Sequence, residues 1–223
     1  MPSITDFLLL ALALGVPWLG GYWWLGALES RSEQFPGDTA RRIGYGLFIG
    51  FAAVQGTTLA VNAASGSLHF PATFIILSLA SLTGGLLYFL TRRSRRATVR
   101  QSPAREQPWQ RTLFWLFTGW ATLHLALVAI EIVHRPVFPW DAWLNWIYRA
   151  KAWYFAGELL GFDSPGDWAA GAIRSKYYVQ GNTYPTFTSI VALWSAQALG
   201  QWSETLINVP VLLCGVAIAP VSY

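Results

Sequence analysis

Charge is what this sequence has least of. Asp, Glu, Lys and Arg make up 12% of its 223 residues while hydrophobic residues make up 54%, and in a soluble domain the charged share is about a quarter. That balance excludes an ordinary soluble globule and predicts an all-α polytopic membrane protein. Cysteine is nearly missing as well. Cys214 stands alone, which rules out an internal disulfide and a cysteine-rich metal site and leaves the redox compartment unread. No P-loop, GxSxG, HExxH or CxxC signature occurs, and no fixed-period repeat. The chain ahead of the first apolar run carries an acid, Asp6, and no base. A cleavable signal peptide wants a basic start, so the first apolar run is expected to be retained as a helix.

What is present is a series of long apolar runs. Phe7 to Leu28 is uncharged and long enough to cross about 30 Å of hydrocarbon at 1.5 Å per residue. Ile43 to Ala64, Phe70 to Leu90 and Thr112 to Val133 meet the same criterion. Thr186 to Leu199 and Leu206 to Val221 are shorter and, in the second case, interrupted by Pro210 and Pro220, and they are expected as spans five and six. Three regions follow: a four-span region over 1–133, an aromatic loop over 134–185, and two further membrane helices over 186–223.

The basic residues are distributed unevenly. Arg92, Arg93, Arg95, Arg96, Arg100, Arg105 and Arg111 fall in the loop 91–111 against the single acid Glu106, so nearly half of the 15 bases sit there. Such a cluster stays in the cytoplasm. The net charge of +4 therefore encodes topology, with membrane lipids as the partner and no nucleic acid. Alternation then places the N-terminus and the loop from His134 to Pro185 on the extracytoplasmic side. With roughly fifty residues, that loop exceeds a simple bundle connection of about 2–8 and is expected to hold structure of its own.

Within it, Trp143, Trp146, Ala150 and Trp153 recur at helical spacing, and Asp141, Asn145 and Arg149 recur every four residues on another face. The pattern predicts a helix lying in the interface, its tryptophans toward lipid and its polar face lining a cavity. A second short helix is expected over Ala169 to Arg174. Asp141 would begin the first helix, where a carboxylate serves either as N-cap or as a catalytic acid, and local sequence ranks the two equally. The surroundings favour a site: Arg149 and Lys151 are cations able to hold phosphate, and the rings of Trp140, Trp143 and Tyr184, with Asn145 beside them, offer surfaces for a sugar. Glu131 and His134, i,i+3 at the end of the fourth run, are further candidates because ionisable groups at membrane depth are functional by default. His124, one heptad before Glu131, reads first as a hydrogen-bonding group within the bundle, with a haem or chlorophyll ligand as the alternative. Gly46 and Gly50 form a GxxxG, and Gly15, Gly20 and Gly21 dot the first run, both candidates for close helix contact.

Pro139-Trp140-Asp141-Ala142-Trp143, the Arg-Ala-Lys-Ala-Trp-Tyr segment from Arg149 to Tyr154, and Tyr184-Pro185 together resemble the GT-C superfamily of integral-membrane glycosyltransferases, in particular the bacterial relatives of protein O-mannosyltransferases. The resemblance covers about 80 residues, from roughly Glu131 onward. It implies that Asp141 is the essential acid of the first large outer loop, acting as base on an acceptor hydroxyl with inversion, while Arg149 or Lys151 balances the lipid phosphate that leaves. It also implies a polyprenyl-phosphate-linked sugar as donor, leaves a divalent metal open, and makes this chain the N-terminal portion of a longer enzyme. The reading from a different class is a non-catalytic structural subunit that packs against partner membrane subunits, which the short length favours.

Overall fold

Four stretches satisfy the membrane-length rule as continuous helices: α1 (Ile4–Glu29), α2 (Thr39–Ser65), α3 (Phe70–Arg93) and α4 (Pro108–His134). The computed structural model describes residues 2–29, 39–93, 107–136, 142–172, 177–181 and 183–221. All the regular elements among them are helical, and the chain reads as a multi-pass membrane protein. Its remaining helices are short: α5 (Ile147–Ala156) after a wide π-type turn at Ala142–Trp146, α6 (Pro165–Ala169), α7 (Phe187–Leu199), and α8 (Val209–Val221) after a 3-10 turn at Leu206–Asn208.

Of the two further expected spans, α7 thus falls short of a full crossing. With 13 residues, α7 reaches only about 20 Å at 1.5 Å per residue. Every residue of α7 from Ser189 to Ser195 is buried, because the helix is apolar or small on all sides and such a helix is stable only where neighbours enclose it. It packs on α1, α2 and α5. Its start is tied to α2, where Gln55 donates to the Thr186 hydroxyl at 3.2 Å, and its far end is tied to α1, where Gln201 donates to Asp6 at 3.4 Å. Gln55 lies about 15 Å along α2 from the Ser65 end, at 1.5 Å per residue, so the chain re-enters the bundle before α7 begins. In α8, apolar on nearly all sides, one side lies on α2 and another on α4.

The tightest contact in the bundle is between α1 and α2, and glycine makes it so. A Cβ on Gly21 would collide with the carbonyl oxygen of Gly46, and one on Gly50 with the carbonyl oxygen of Pro17. The two backbones therefore touch directly, as small-residue seams in membranes allow. Gly15, by contrast, faces open space.

Pro17 sits inside α1 and has no N–H to give, which leaves the carbonyl of Ala13 without its helical donor. Trp194 of α7 supplies the replacement, its indole N–H donating to Ala13 O at 2.9 Å from a fully buried position. The same indole ring packs on Phe70 and Phe74 of α3, with centroids 4.6 and 6.3 Å away. One side chain thus joins three helices and fixes α7 against the long ones.

Candidate functional site

A cavity of about 890 Å³ lies between α4 and the rest of the bundle. Among the described residues α4 buries none, and its contacts fall on α8 and the 3-10 turn before it. The cavity fills the wedge this leaves. Phe51 of α2, Val191 of α7 and Cys214 of α8 form its apolar wall, and Val128 and Ile132 of α4 face them. Its polar groups come from the ends of elements: Glu131, Arg135, Trp146, Thr188 and Asn208. Because Leu125 of α4 meets Gly215 of α8 while Arg135 and Asn208 share the cavity, α4 and α8 run antiparallel. Arg135, Glu131 and Asn208 accordingly gather at one end and Val128 and Cys214 at the other.

At that polar end Arg135 Nη1 lies 3.2 Å from Glu131 Oε1, an i,i+4 pair whose side chains are 74% and 60% exposed. So open a pair is weak, worth at most about 1 kcal/mol. Its members are free to exchange partners. His134, expected beside Glu131, instead turns back on its own helix, Nδ1 lying 2.8 Å from the Ile130 carbonyl, and it does not line the cavity.

Asn145 and Arg149 do share a face, as their spacing predicts, but the face is buried rather than open. Gly181 N donates to Asn145 Oδ1 at 2.7 Å. Arg149 Nη1 donates to Tyr184 O at 2.8 Å, and Nη2 donates to Gly181 O. A side chain on Gly181 would collide with the Tyr184 ring and Asn145 Oδ1. The pair therefore clamps the turn by which the loop returns to the bundle. Burial lowers the pKa of the Arg149 guanidinium, and hydrogen bonds to carbonyls take the place of water. Lys151 points elsewhere, to Glu204 at 2.5 Å and over the ring of Trp202 at 5.8 Å.

The expected lipid-facing tryptophan stripe is also corrected. Trp153 is buried, its indole donating to Leu160 O at 2.9 Å and its ring meeting Phe162 at 5.9 Å. The cause is the chain after α5, which folds back over the helix: Gly157 O accepts from Leu68 N at 2.7 Å, and Leu159 N donates to Asn62 at 3.0 Å. Trp146 lines the cavity and lies 6.3 Å from the Tyr184 ring. The short helix expected over Ala169 to Arg174 forms earlier, at Pro165–Ala169, since Ser164 caps it through Asp167 N at 3.0 Å and proline fits the first helical position.

Trp140 and Asp141, and the side chain of Trp143, lie outside the described residues. Pro136, five positions before Asp141, lines the cavity, and Trp146, five positions after it, does too. Among the described residues no three His, Cys, Asp or Glu side chains converge as a metal site would need. His124 stacks on Trp120, centroids 5.8 Å apart, on the exposed side of α4. The cavity itself escaped sequence reasoning, and Arg135 with it, because an arginine just past a helix end signals only a boundary. Comparison with protein families, curated proteins and solved structures finds no match for this chain.

Proposed function

We propose that the chain is a glycosyltransferase of the GT-C type, or the part of one that holds the donor lipid, moving a sugar from a polyprenyl phosphate to an acceptor hydroxyl on the outer face of the membrane. The observation that carries this reading is the cavity between α4 and α8. It is apolar along its length and ionic at one end, and Pro136 and Trp146, on either side of Asp141 in the chain, line it. An isoprenoid chain suits the wall of Phe51, Val128 and Cys214, and a phosphate suits the neighbourhood of Arg135. A volume of about 890 Å³ falls in the range of small-molecule sites, about 300–1,000 Å³.

In this mechanism Asp141 takes the proton of the acceptor hydroxyl as its oxygen attacks the anomeric carbon, and the bond from that carbon to the phosphate oxygen breaks with inversion. The lipid phosphate leaves as an anion. Asn145 and Arg149 act on the site by holding the return turn, and Trp146 and Tyr184 provide the aromatic surface nearest the sugar. Replacing Asp141 by Asn keeps shape and capping ability but removes the base, so transfer of radiolabelled sugar in membranes is expected to fall by about 10²–10⁴-fold at unchanged protein level. An equally active Asn variant would remove Asp141 from the chemistry.

The structural-subunit reading is favoured by one observation, the unburied α4. A 27-residue apolar helix that buries no residue of its own presents its length to whatever surrounds it. Absence of transfer together with a stable co-purifying membrane subunit would shift the conclusion to that reading.

A further inference from the structure

Arg149 and Lys151, the two cations expected to hold the donor phosphate, are engaged within the protein, one by the carbonyls of Gly181 and Tyr184 and the other by Glu204. Among the described residues lining the cavity Arg135 is the one cation, and what holds it is an exposed contact to Glu131, one turn back on the same helix. We propose that this pair is an exchangeable anion site: the phosphate of a single-chain isoprenoid lipid displaces the Glu131 carboxylate from Arg135, and the chain lies along the α4–α8 wall. The choice of an isoprenoid chain rests on the function proposed above; the exchange itself does not.

Three features support the exchange. The sugar-free lipid phosphate, a monoester that reaches two charges and three free oxygens, offers the guanidinium more than one carboxylate does, so replacement is favourable where the original pair is weakly held. The geometry is i,i+4 at the end of a helix, so Glu131 can turn away without moving backbone. Arg135 follows directly on α4, close to the negative end of its dipole, where a cation is favoured. Glu131 acts meanwhile as a built-in competitor. A neutral amphiphile cannot displace it, so the pair selects for phosphate-headed lipids over the far more abundant apolar chains around the protein.

The test measures binding to the purified full chain in detergent, with farnesyl phosphate as probe and farnesol, inorganic phosphate and phosphatidylglycerol as comparisons. Farnesyl phosphate is expected to bind about tenfold more tightly than farnesol, the low end for a charge-assisted contact, and inorganic phosphate not measurably. Arg135→Gln should erase the preference for the phosphate, and Arg135→Lys should keep most of it. Glu131→Gln should do the opposite and tighten farnesyl phosphate about threefold, since it removes a competitor of surface-pair strength. Both side chains are exposed, so the variants are expected to fold. Equal affinity for farnesyl phosphate and farnesol, or weakening by both the Gln variants, would overturn the exchange. Phosphatidylglycerol binding as tightly as farnesyl phosphate with the same variant pattern would overturn the isoprenoid assignment. Lipid binding that follows this pattern without any sugar transfer would count against the transferase and leave the site standing, whereas transfer without it would discard the site alone.

Discussion

Single residues in this chain are best understood through the backbone groups they satisfy. Pro17 removes one donor from α1 and Trp194 returns one, although 177 positions separate them in sequence. Neither residue explains itself alone. A double-mutant cycle isolates the link: Trp194→Phe keeps most of the ring packing on Phe70 and Phe74 but strands the Ala13 carbonyl, whereas in a Pro17→Ala background the helix supplies its own N–H. The Trp194→Phe penalty is expected to shrink in that background, with a coupling of roughly 0.6 kcal/mol and at most about 1.7 kcal/mol, as for other hydrogen bonds inside membrane proteins. Reversible unfolding in micelles measures it, and equal penalties in both backgrounds would refute the link. Arg149 follows the same logic. Its spacing from Asn145 was legible in the sequence, but whether that face met solvent or the return turn depended on residues 181 and 184.

Among the elements, the long helices were legible because their cause is local. Hydrocarbon thickness and the helical rise together require about 20 apolar residues, and Ile4–Glu29, Thr39–Ser65, Phe70–Arg93 and Pro108–His134 are all that long. How α1 and α2 meet was only half legible. The glycines of both were visible, yet a GxxxG spacing does not say which helix lies opposite. The structure pairs Gly21 with Gly46 and Gly50 with Pro17. Gly50→Ala is therefore expected to force the helices apart at a cost of about 1–3 kcal/mol, the usual range for overpacking. Gly15→Ala meets nothing within 4 Å and should be neutral, or stabilising by up to about 1 kcal/mol through helix propensity. Detergent melting curves of the two variants distinguish these outcomes, and a Gly50→Ala protein as stable as the parent would argue against the direct backbone contact. The short elements failed for the opposite reason: α7, 13 residues long and mostly buried, owes its enclosure to α1, α2 and α5, none of which its own sequence identifies.

For the whole molecule, the arginine cluster over 91–111 predicts an orientation. A reporter fused after Arg100 is expected to be cytoplasmic and one inserted near Gly166 to be external, by the positive-inside rule. Finding both on one side would remove Asp141 and Arg135 from the outer leaflet, and the proposed donor with them. By itself the sequence determined that the protein is helical and membrane-bound, where its four long helices run, and that the segment after α4 carries aromatic and ionisable groups in unusual density. These depend on composition and on spacing within a single helix, which short stretches of chain already contain. Only the tertiary structure decided that the segment after α4 turns back into the bundle, that Asn145 and Arg149 hold its return, and that a cavity beside α4 ends at Glu131 and Arg135. Those outcomes are set by contacts between residues far apart in the chain, such as Gln55 with Thr186 and Leu125 with Gly215, and local pattern carries no record of which distant surfaces will meet.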